Sequence, residues 1–483
     1  MATAAEDLPF DPVSRDPRFV KLETEWRLLL DRHLRHRESD DAFYRYNRPL
    51  ADGDPPQGWK LHVSATLLSA CEIFSAIAPV LLQSGARVKA LESMLTVKRL
   101  NCGSYYGYQQ IGKFVTVFAR SEAEAVTLAE GLHRATRGMI GPRVPSDLPY
   151  APDGIVFYRY GAFRPLRPGS KRCDAVHGPD GELVPDLRDP KRPVPEWVNS
   201  PFAAVSENAE QAPIAFGIVP YQAISLRGKG AVYRALDLRQ SPARVVILKE
   251  GIRWGEVDLD RRDGLSRLAD ELAAIEALSD AGVEVPEILA RFRSQDRLYA
   301  AFEHIDGEPL QALLTASQTP LDLDFALGVC RQTAQYLHRM HRSGWVWRDC
   351  KPQNLIITDD GRVRPVDFED AIRVDAPVRL PTGTAAYLPP EWPALGDPIA
   401  QDLYALGVTL HQTLSRSVGH SVAASVECYR DDVPHRIRSL IAQLLSSDPS
   451  ARPSAQSVSN ALESSDMKVK ADEIIKQTLY ELD

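Results

Sequence analysis

The 483-residue sequence predicts an α+β protein of two domains. Three observations carry that expectation. The chain is 44% hydrophobic and long enough to bury more than one core. Short runs with strand-like alternation and longer amphipathic helical runs recur in both halves. Between Phe163 and about Pro220 lies a stretch rich in Pro, Gly, Asp and Arg, with no sustained period. The expected division is residues 1–202 and 220–464 as domains, 203–219 as linker and 465–483 as a terminal charged helix.

Charge and targeting signals narrow the partners. A formal charge of −8 and a pI near 5.8 argue against nonspecific binding to nucleic acid or to an anionic membrane surface, and favour a neutral or peptide substrate. The amino terminus has acidic residues and no apolar core of secretory length, and the most apolar run, 65–83, is interrupted by Glu72 and Pro79. A cytoplasmic protein is the expectation. Six scattered cysteines, without a CxxC pair or a histidine at ligand spacing, suggest neither a disulfide framework nor a zinc site.

In chain order, residues 16–36 read as a helix, followed by an irregular segment to about Pro56. Residues 58–64 (GWKLHVS) alternate, so Lys60 and His62 project from one face while Leu61 and Val63 face the other. Ser64 reads as the N-cap of an amphipathic helix over 65–83. A second short strand carries Val88 and Lys89, and 112–119 (GKFVTVFA) alternates again. Ser121 and Glu124 form a capping box opening a helix that ends near Gly138. Residues 154–163 (GIVFYRYGAF) set Arg159 on a strand between tyrosines. A lone KxH more often marks a solvated face than a site, but here it comes with further cations, as an anionic phosphate ester requires. The stretch after Phe163 reads as a tether or flap with a hairpin turn at Pro179-Asp180-Gly181.

The blocks QGWKLHVSAT, GYQQIGKFVTVF, GPRVPSD and YRYGAF, followed by PEWVNSPF, resemble the phosphothreonine/phosphoserine lyase domain of class III and class IV lanthipeptide synthetases, over about residues 40–202. That domain is itself related to effector-type phosphothreonine lyases. The resemblance implies β-elimination, with Lys60 as the base that removes the Cα proton and His62 as the acid that protonates the departing oxygen. Lys89 and Arg159 would hold the phosphate. Many members carry an arginine shortly before GKF, where this chain reads Tyr105 to Gln110 without a cation, so Lys113 and Arg143 become further candidates. A lysine acts as base near neutral pH only where burial or positive neighbours depress its pKa.

In the second half, 225–232 (SLRGKGAV) reads as a loop between strands, suited to folding over nucleotide phosphates through Gly228, Gly230 and Val232. A buried strand ends at Lys249, and a helix over 261–279 offers Glu271 as its ion-pair partner, with Glu276 the alternative. Residues 299–305, including Glu303, resemble a hinge strand that binds adenine through main-chain groups. A helix over 322–342 leads into 344–370, GWVWRDCKPQNLIITDDGRVRPVDFED. Asp349, Lys351 and Asn354 stand in one short segment, and Asp367 follows two strand-like runs joined by a turn. Metal-dependent phosphoryl transfer uses that order: one carboxylate orients the acceptor hydroxyl, an amide and a second carboxylate hold metal ions, and a lysine neutralises charge.

These residues resemble the catalytic loop and metal-binding motif of the protein kinase family, with Trp347 in place of His and Glu369 in place of Gly. GTAAYLPPE (383–391), DLYALG (402–407) and Arg452, placed to pair with Glu391, extend the resemblance over about 220–464. It implies a bilobal kinase-like fold using ATP and Mg²⁺. Asp349 would be catalytic, Gly228, Gly230, Val232, Lys249, Glu271, Glu303 and Lys351 would serve ATP, and Asn354 and Asp367 the metal. A side chain at Glu369 disfavours positive φ, which predicts a less switchable segment.

Together the resemblances imply a bifunctional dehydratase that phosphorylates Ser/Thr of a ribosomally synthesised precursor peptide carrying a leader, then eliminates phosphate. Full-length family members add a carboxy-terminal cyclase with Cys/Cys/His zinc ligands; none is read here, so rings, if any, would form spontaneously or with a separate cyclase or other modifying enzyme as partner, unless the chain is part of a longer protein. Two other readings stay open: a Ser/Thr protein kinase with a non-catalytic peptide-recognition front domain, and a lyase for phosphoproteins whose kinase-like part only binds.

Overall fold

A computed structural model describes residues 11–38, 42–163, 175–186, 193–203, 212–316, 319–376, 385–391, 397–415 and 431–463. The first domain contains α1 (Pro17–His33), β1 (Tyr44–Tyr46), β2 (Gln57–Val63), α2 (Ala70–Ser84), β3 (Arg87–Leu91), α3 (Met94–Cys102), β4 (Val115–Phe118), α4 (Glu122–Ala135), β5 (Leu148–Pro149) and β6 (Val156–Ala162). Its six strands form one sheet in the order β1-β3-β4-β2-β6-β5. Alternation sorts the two faces. Trp59, Leu61 and Val63 of β2, Val88 and Ala90 of β3, Val115 and Val117 of β4, and Val156 and Tyr158 of β6 all join one buried core with Trp26, Leu30, Ile73, Phe74, Leu128 and Leu132 from the helices. The opposite face carries Lys60, His62, Arg87, Lys89, Thr116 and Arg159 together with Phe118 and Phe157.

Caps set the helix starts. Asp16 accepts the Arg18 amide at 2.7 Å with Pro17 in the first turn, and Ser121 accepts the Glu124 amide at 3.2 Å. The expected cap at Ser64 does not form. Thr66 and Ser69 instead exchange backbone-to-hydroxyl bonds at 3.0 and 3.1 Å, holding residues 65–69 in a turn and delaying α2 to Ala70. Ser64 is buried with its hydroxyl unpartnered among the described residues.

The turn expected at Pro179 to Gly181 is present: β7 (Ala175–His177) and β8 (Leu183–Pro185) pair as a hairpin with Gly181 at φ +81°. Next come α5 (Ala212–Ala215), β9 (Ile218–Arg227), β10 (Gly230–Asp237), β11 (Arg244–Ile252), α6 (Gly264–Asp280), β12 (Ile288–Ser294) and β13 (Arg297–Glu303). These five strands form a sheet in the order β12-β13-β11-β10-β9. At the tip of the β9–β10 hairpin the Gly228 amide donates to the Cys102 carbonyl at 3.1 Å, and Arg227 Nη2 donates to Cys102 Sγ at 2.8 Å. A Cβ at residue 228 would stand 1.8 Å from the Asn101 oxygen, so only glycine permits this approach.

The remaining elements are β14 (Glu308–Pro309), α7 (Leu310–Ala316), α8 (Leu323–Arg342), β15 (Trp345–Val346), β16 (Leu355–Ile357), β17 (Val363–Pro365), β18 (Ile372–Arg373), α9 (Pro398–Leu414) and α10 (His435–Leu444). Asp322 caps α8 through the Phe325 amide at 3.0 Å. By internal packing the chain divides into two compact units, one comprising Val13–Leu268 with Ala290–Ala301, the other Ala269–Leu289 and the chain from Phe302 onward. The fold is thus α+β throughout. Among the described residues no helix is long and apolar enough to cross a membrane. The expected helix at 466–483 and the start of the 383–391 motif lie outside the described residues.

Candidate active sites

The face of the first sheet opposite its core is built by register. Antiparallel pairing lines up Arg159, Lys60, Phe118 and Arg87 in one row, and Phe157, His62, Thr116 and Lys89 in the next. Lys60, His62, Lys89 and Arg159 therefore share one face, as the alternation of β2 predicts for the first two. Lys60, His62 and Arg159 are buried, Lys89 half-buried.

Each group has a local partner. His62 Nδ1 donates to Asp147 Oδ2, which leaves Nε2 as the nitrogen for a substrate. Asp147 also accepts from Ser146 Oγ at 2.8 Å and meets Lys113 Nζ at 3.3 Å. Lys113 thus braces the carboxylate that orients His62. Burial opposes charge on Asp147, yet Lys113, His62 and Arg159 hold its carboxyl well below the usual range. For His62 burial dominates: despite the pull of Asp147, and with Lys113 and Lys60 adding to the effect, its pKa is pushed down to about 4. Lys89 Nζ lies 3.6 Å from the Tyr44 ring centroid. Arg143 is lowered by burial, and the charges that act on it are Asp296, Arg297 and Asp153.

Three participants escaped sequence reading. Arg87 sits two residues before Lys89 on the same strand face, packs 4.3 Å from the Tyr46 ring centroid and pairs with Glu38; the period of two that selected Lys60 and His62 would have found it. Asp147 closes the GPRVPSD block, and a carboxylate behind a KxH histidine was its only signal. Asp186 pairs with Arg159 from an aperiodic stretch that gave no signal at all.

The second site lies on the loop after α8. Lys351 Nζ donates to both Asp349 oxygens at 2.9 and 2.7 Å, and Asn354 Nδ2 donates to the Asp349 carbonyl at 3.0 Å and to Oδ2 at 2.6 Å. The loop backbone hangs on Asp402, which accepts the Trp347 and Arg348 amides at 2.8 and 2.6 Å. Trp347 is fully buried, stacks on Phe368 at 5.7 Å and donates Nε1 to the Asp367 carbonyl at 2.9 Å, so the substituted residue ties the loop to the Asp367 segment. Arg348 and Asp367 hold φ of +67° and +68°, strained backbone of the kind that functional sites retain. Glu369 is not among the positive-φ residues. Burial, then the Asp367 and Asp370 carboxylates, push the Asp349 carboxyl up to about 7 against the pull of Lys351.

Glu271 is buried and accepts the Phe368 amide at 3.0 Å. Lys249 pairs with Val232 in the β10–β11 register, in the other compact unit from Glu271. Gly230 opposes Arg227 across the hairpin, and Glu303 accepts Arg364 Nη2 at 2.7 Å. Arg452 meets Glu391 in a bidentate pair at 2.6 and 2.7 Å, as the sequence predicts.

Comparison with known proteins follows the same division. Residues 29–213 match the family described as RamC, N-terminal domain, and residues 227–462 match the protein kinase domain. A probable SapB synthase of Streptomyces coelicolor is 34% identical over 382 residues, covering 74% of this chain and 39% of its own length. The serine/threonine-protein kinase PknA of Mycobacterium tuberculosis is 36% identical over 171 residues, 32% of this chain and 39% of that kinase. PknL of the same organism is 29% identical over 205 residues, 41% of this chain and 48% of that kinase. The chain spans less than half the length of each of these relatives.

Proposed function

We propose that this chain, which belongs to the proteins joining a RamC N-terminal domain to a protein kinase domain, is a bifunctional dehydratase for a ribosomally made precursor peptide, a lanthipeptide synthetase in type. The observation that carries the elimination half is the sheet face on which Lys60, His62, Lys89 and Arg159 stand together, with His62 oriented by Asp147.

In the first step Asp349 orients a peptide hydroxyl for attack on the γ-phosphate of ATP. Lys351 neutralises charge, Asn354 and Asp367 would hold magnesium, and Lys249 would grip the nucleotide under the Gly228–Gly230 turn. The donor set fits: Asp349 is raised first by burial and then by the neighbouring Asp367 and Asp370 carboxylates, a crowding that a divalent cation relieves. Bound magnesium supplies neutralisation of the nucleotide's phosphate charge.

In the second step Lys60 Nζ takes the Cα proton of the phosphoresidue. The released pair forms the Cα=Cβ bond, the Cβ–O bond breaks, and inorganic phosphate leaves with a proton from His62 Nε2. Dehydroalanine or dehydrobutyrine remains. His62 is neutral in the free protein, so the incoming phosphate dianion must raise its pKa before it donates. Arg159, Lys89 and, at the margin, Arg143 hold the phosphate, while Lys113 acts through Asp147.

The test is to weigh a candidate precursor after incubation with ATP and Mg²⁺. Water loss is expected from the intact protein, and phosphate gain without water loss from Lys60→Ala. Phosphate gain alone from the unaltered protein would instead support the second reading, a Ser/Thr kinase whose front domain only recognises peptide. One observation favours that reading: Arg159 is already paired with Asp186.

A further inference from the structure

Arg159 is the deepest cation of the sheet face, and a carboxylate from outside the sheet already sits on it. Its Nη2 donates to Asp186 Oδ1, and each side chain is only 4% exposed. Asp186 follows β8, whose hairpin docks on the end of β2: Gln57 Nε2 donates to the His177 carbonyl at 2.9 Å, the His177 amide donates to Gln57 Oε1 at 2.6 Å, and Val176 is buried. The other oxygen, Asp186 Oδ2, is buried without a hydrogen-bond partner among the described residues. Gly161, two residues beyond Arg159 on the same face, makes room for it, since a Cβ there would stand 2.8 Å from that oxygen.

A buried carboxylate with one oxygen bonded to an arginine and the other left dry is under-satisfied. A phosphomonoester dianion brings three acceptor oxygens and a second charge to the same guanidinium, whose fork suits it better. The lysine that would remove the proton, Lys60, is the direct cross-strand neighbour of Arg159, so an anion seated there holds the reacting carbon beside the base.

We infer that Asp186 is a resident stand-in for the substrate's phosphate, occupying Arg159 in the free protein and displaced by the phosphoester, so that peptides bearing only carboxylates are refused. This rests on the lyase reading above. It assigns Asp186 a selective role, not a catalytic one.

The full chain serves as the test, with inorganic phosphate as probe and binding read by calorimetry. Asp186→Asn keeps the shape, removes the competing charge and is expected to tighten phosphate binding about tenfold. Gly161→Ala alters neither charge, only crowding the carboxylate, and is expected to move affinity in the same direction; Arg159→Gln should abolish it. On a synthetic phosphoserine peptide, Asp186→Asn should lower KM at unchanged kcat, and the same peptide with Glu for phosphoserine should become a measurable competitor. Unchanged or weakened phosphate affinity in both folded variants, or a fall in kcat at constant KM, would overturn the inference, the latter by making Asp186 a positioning residue for Arg159. If the unaltered protein leaves the phosphoserine peptide intact, the lyase reading fails, while the phosphate titration still judges Asp186 by itself.

Discussion

The two sites are electrostatic opposites. On the first sheet the cations come with their counter-charges in place: Lys113 with Asp147, Arg87 with Glu38, Arg159 with Asp186. On the loop after α8 the imbalance runs the other way: burial, then the Asp367 and Asp370 carboxylates, raise Asp349, and Lys351 is the cation that opposes them there. A site that receives an anion can be assembled from internal ion pairs and stay folded while empty. A site that receives a metal nucleotide is left short of positive charge, and its loop is held by backbone bonds to Asp402 and by the Trp347 indole.

The sharpest way to break this comparison is to disable each site alone. Lys60→Ala should slow elimination from a prephosphorylated peptide about 10⁴-fold and spare phosphoryl transfer, whereas Asp349→Asn should slow phosphoryl transfer about 10³-fold and spare elimination. Quenched-flow mass analysis of both steps checks this; crossed effects would merge the two sites. Next, Asp147→Asn takes a carboxylate from Lys113 and from the His62 ring, so elimination should fall about 10²-fold, with a loss of about 3 kcal/mol in denaturant unfolding.

A smaller effect separates the sites by the sign of their pH response. His62 is held at about 4 against an ordinary 6.5, so the unfolded chain takes its proton first and stability falls as pH drops through that window. Asp349 is raised from 3.8 to about 7, so its folded form keeps a proton longer and stability falls as pH rises through that range. Thermal midpoints between pH 4 and 7 should therefore lose one slope in His62→Gln and the opposite slope in Asp349→Asn. The smallest effect is Trp347→His: a donor remains but stacking on Phe368 is lost, for about 2 kcal/mol by denaturant titration and a slightly slower kinase step.

How much was legible depends on the range of the interaction. Period two put Lys60 and His62 on one face without any structure, and the order of Asp349, Lys351, Asn354 and Asp367 survives as a loop bonded within itself. The row joining Arg159 to Lys60 needed strand register, which is set by the buried alternate residues of four strands and is not written in any one of them. Ser64 failed as a cap because a hydroxyl pair at Thr66 and Ser69 competed locally, a contest that propensity alone does not decide. Asp186 was invisible because nothing periodic surrounds it.

The bare turn at Gly228 leaning on the Cys102 carbonyl has one more implication. Anyone grafting this kinase behind a foreign front domain must import a matching bare carbonyl and small neighbours at the end of α3, or the Gly228 turn loses its rest. Natural recombination of the two halves meets the same obstacle, so the halves are expected to diverge as a pair, with changes around residues 101–102 tracked by changes at the tip they support.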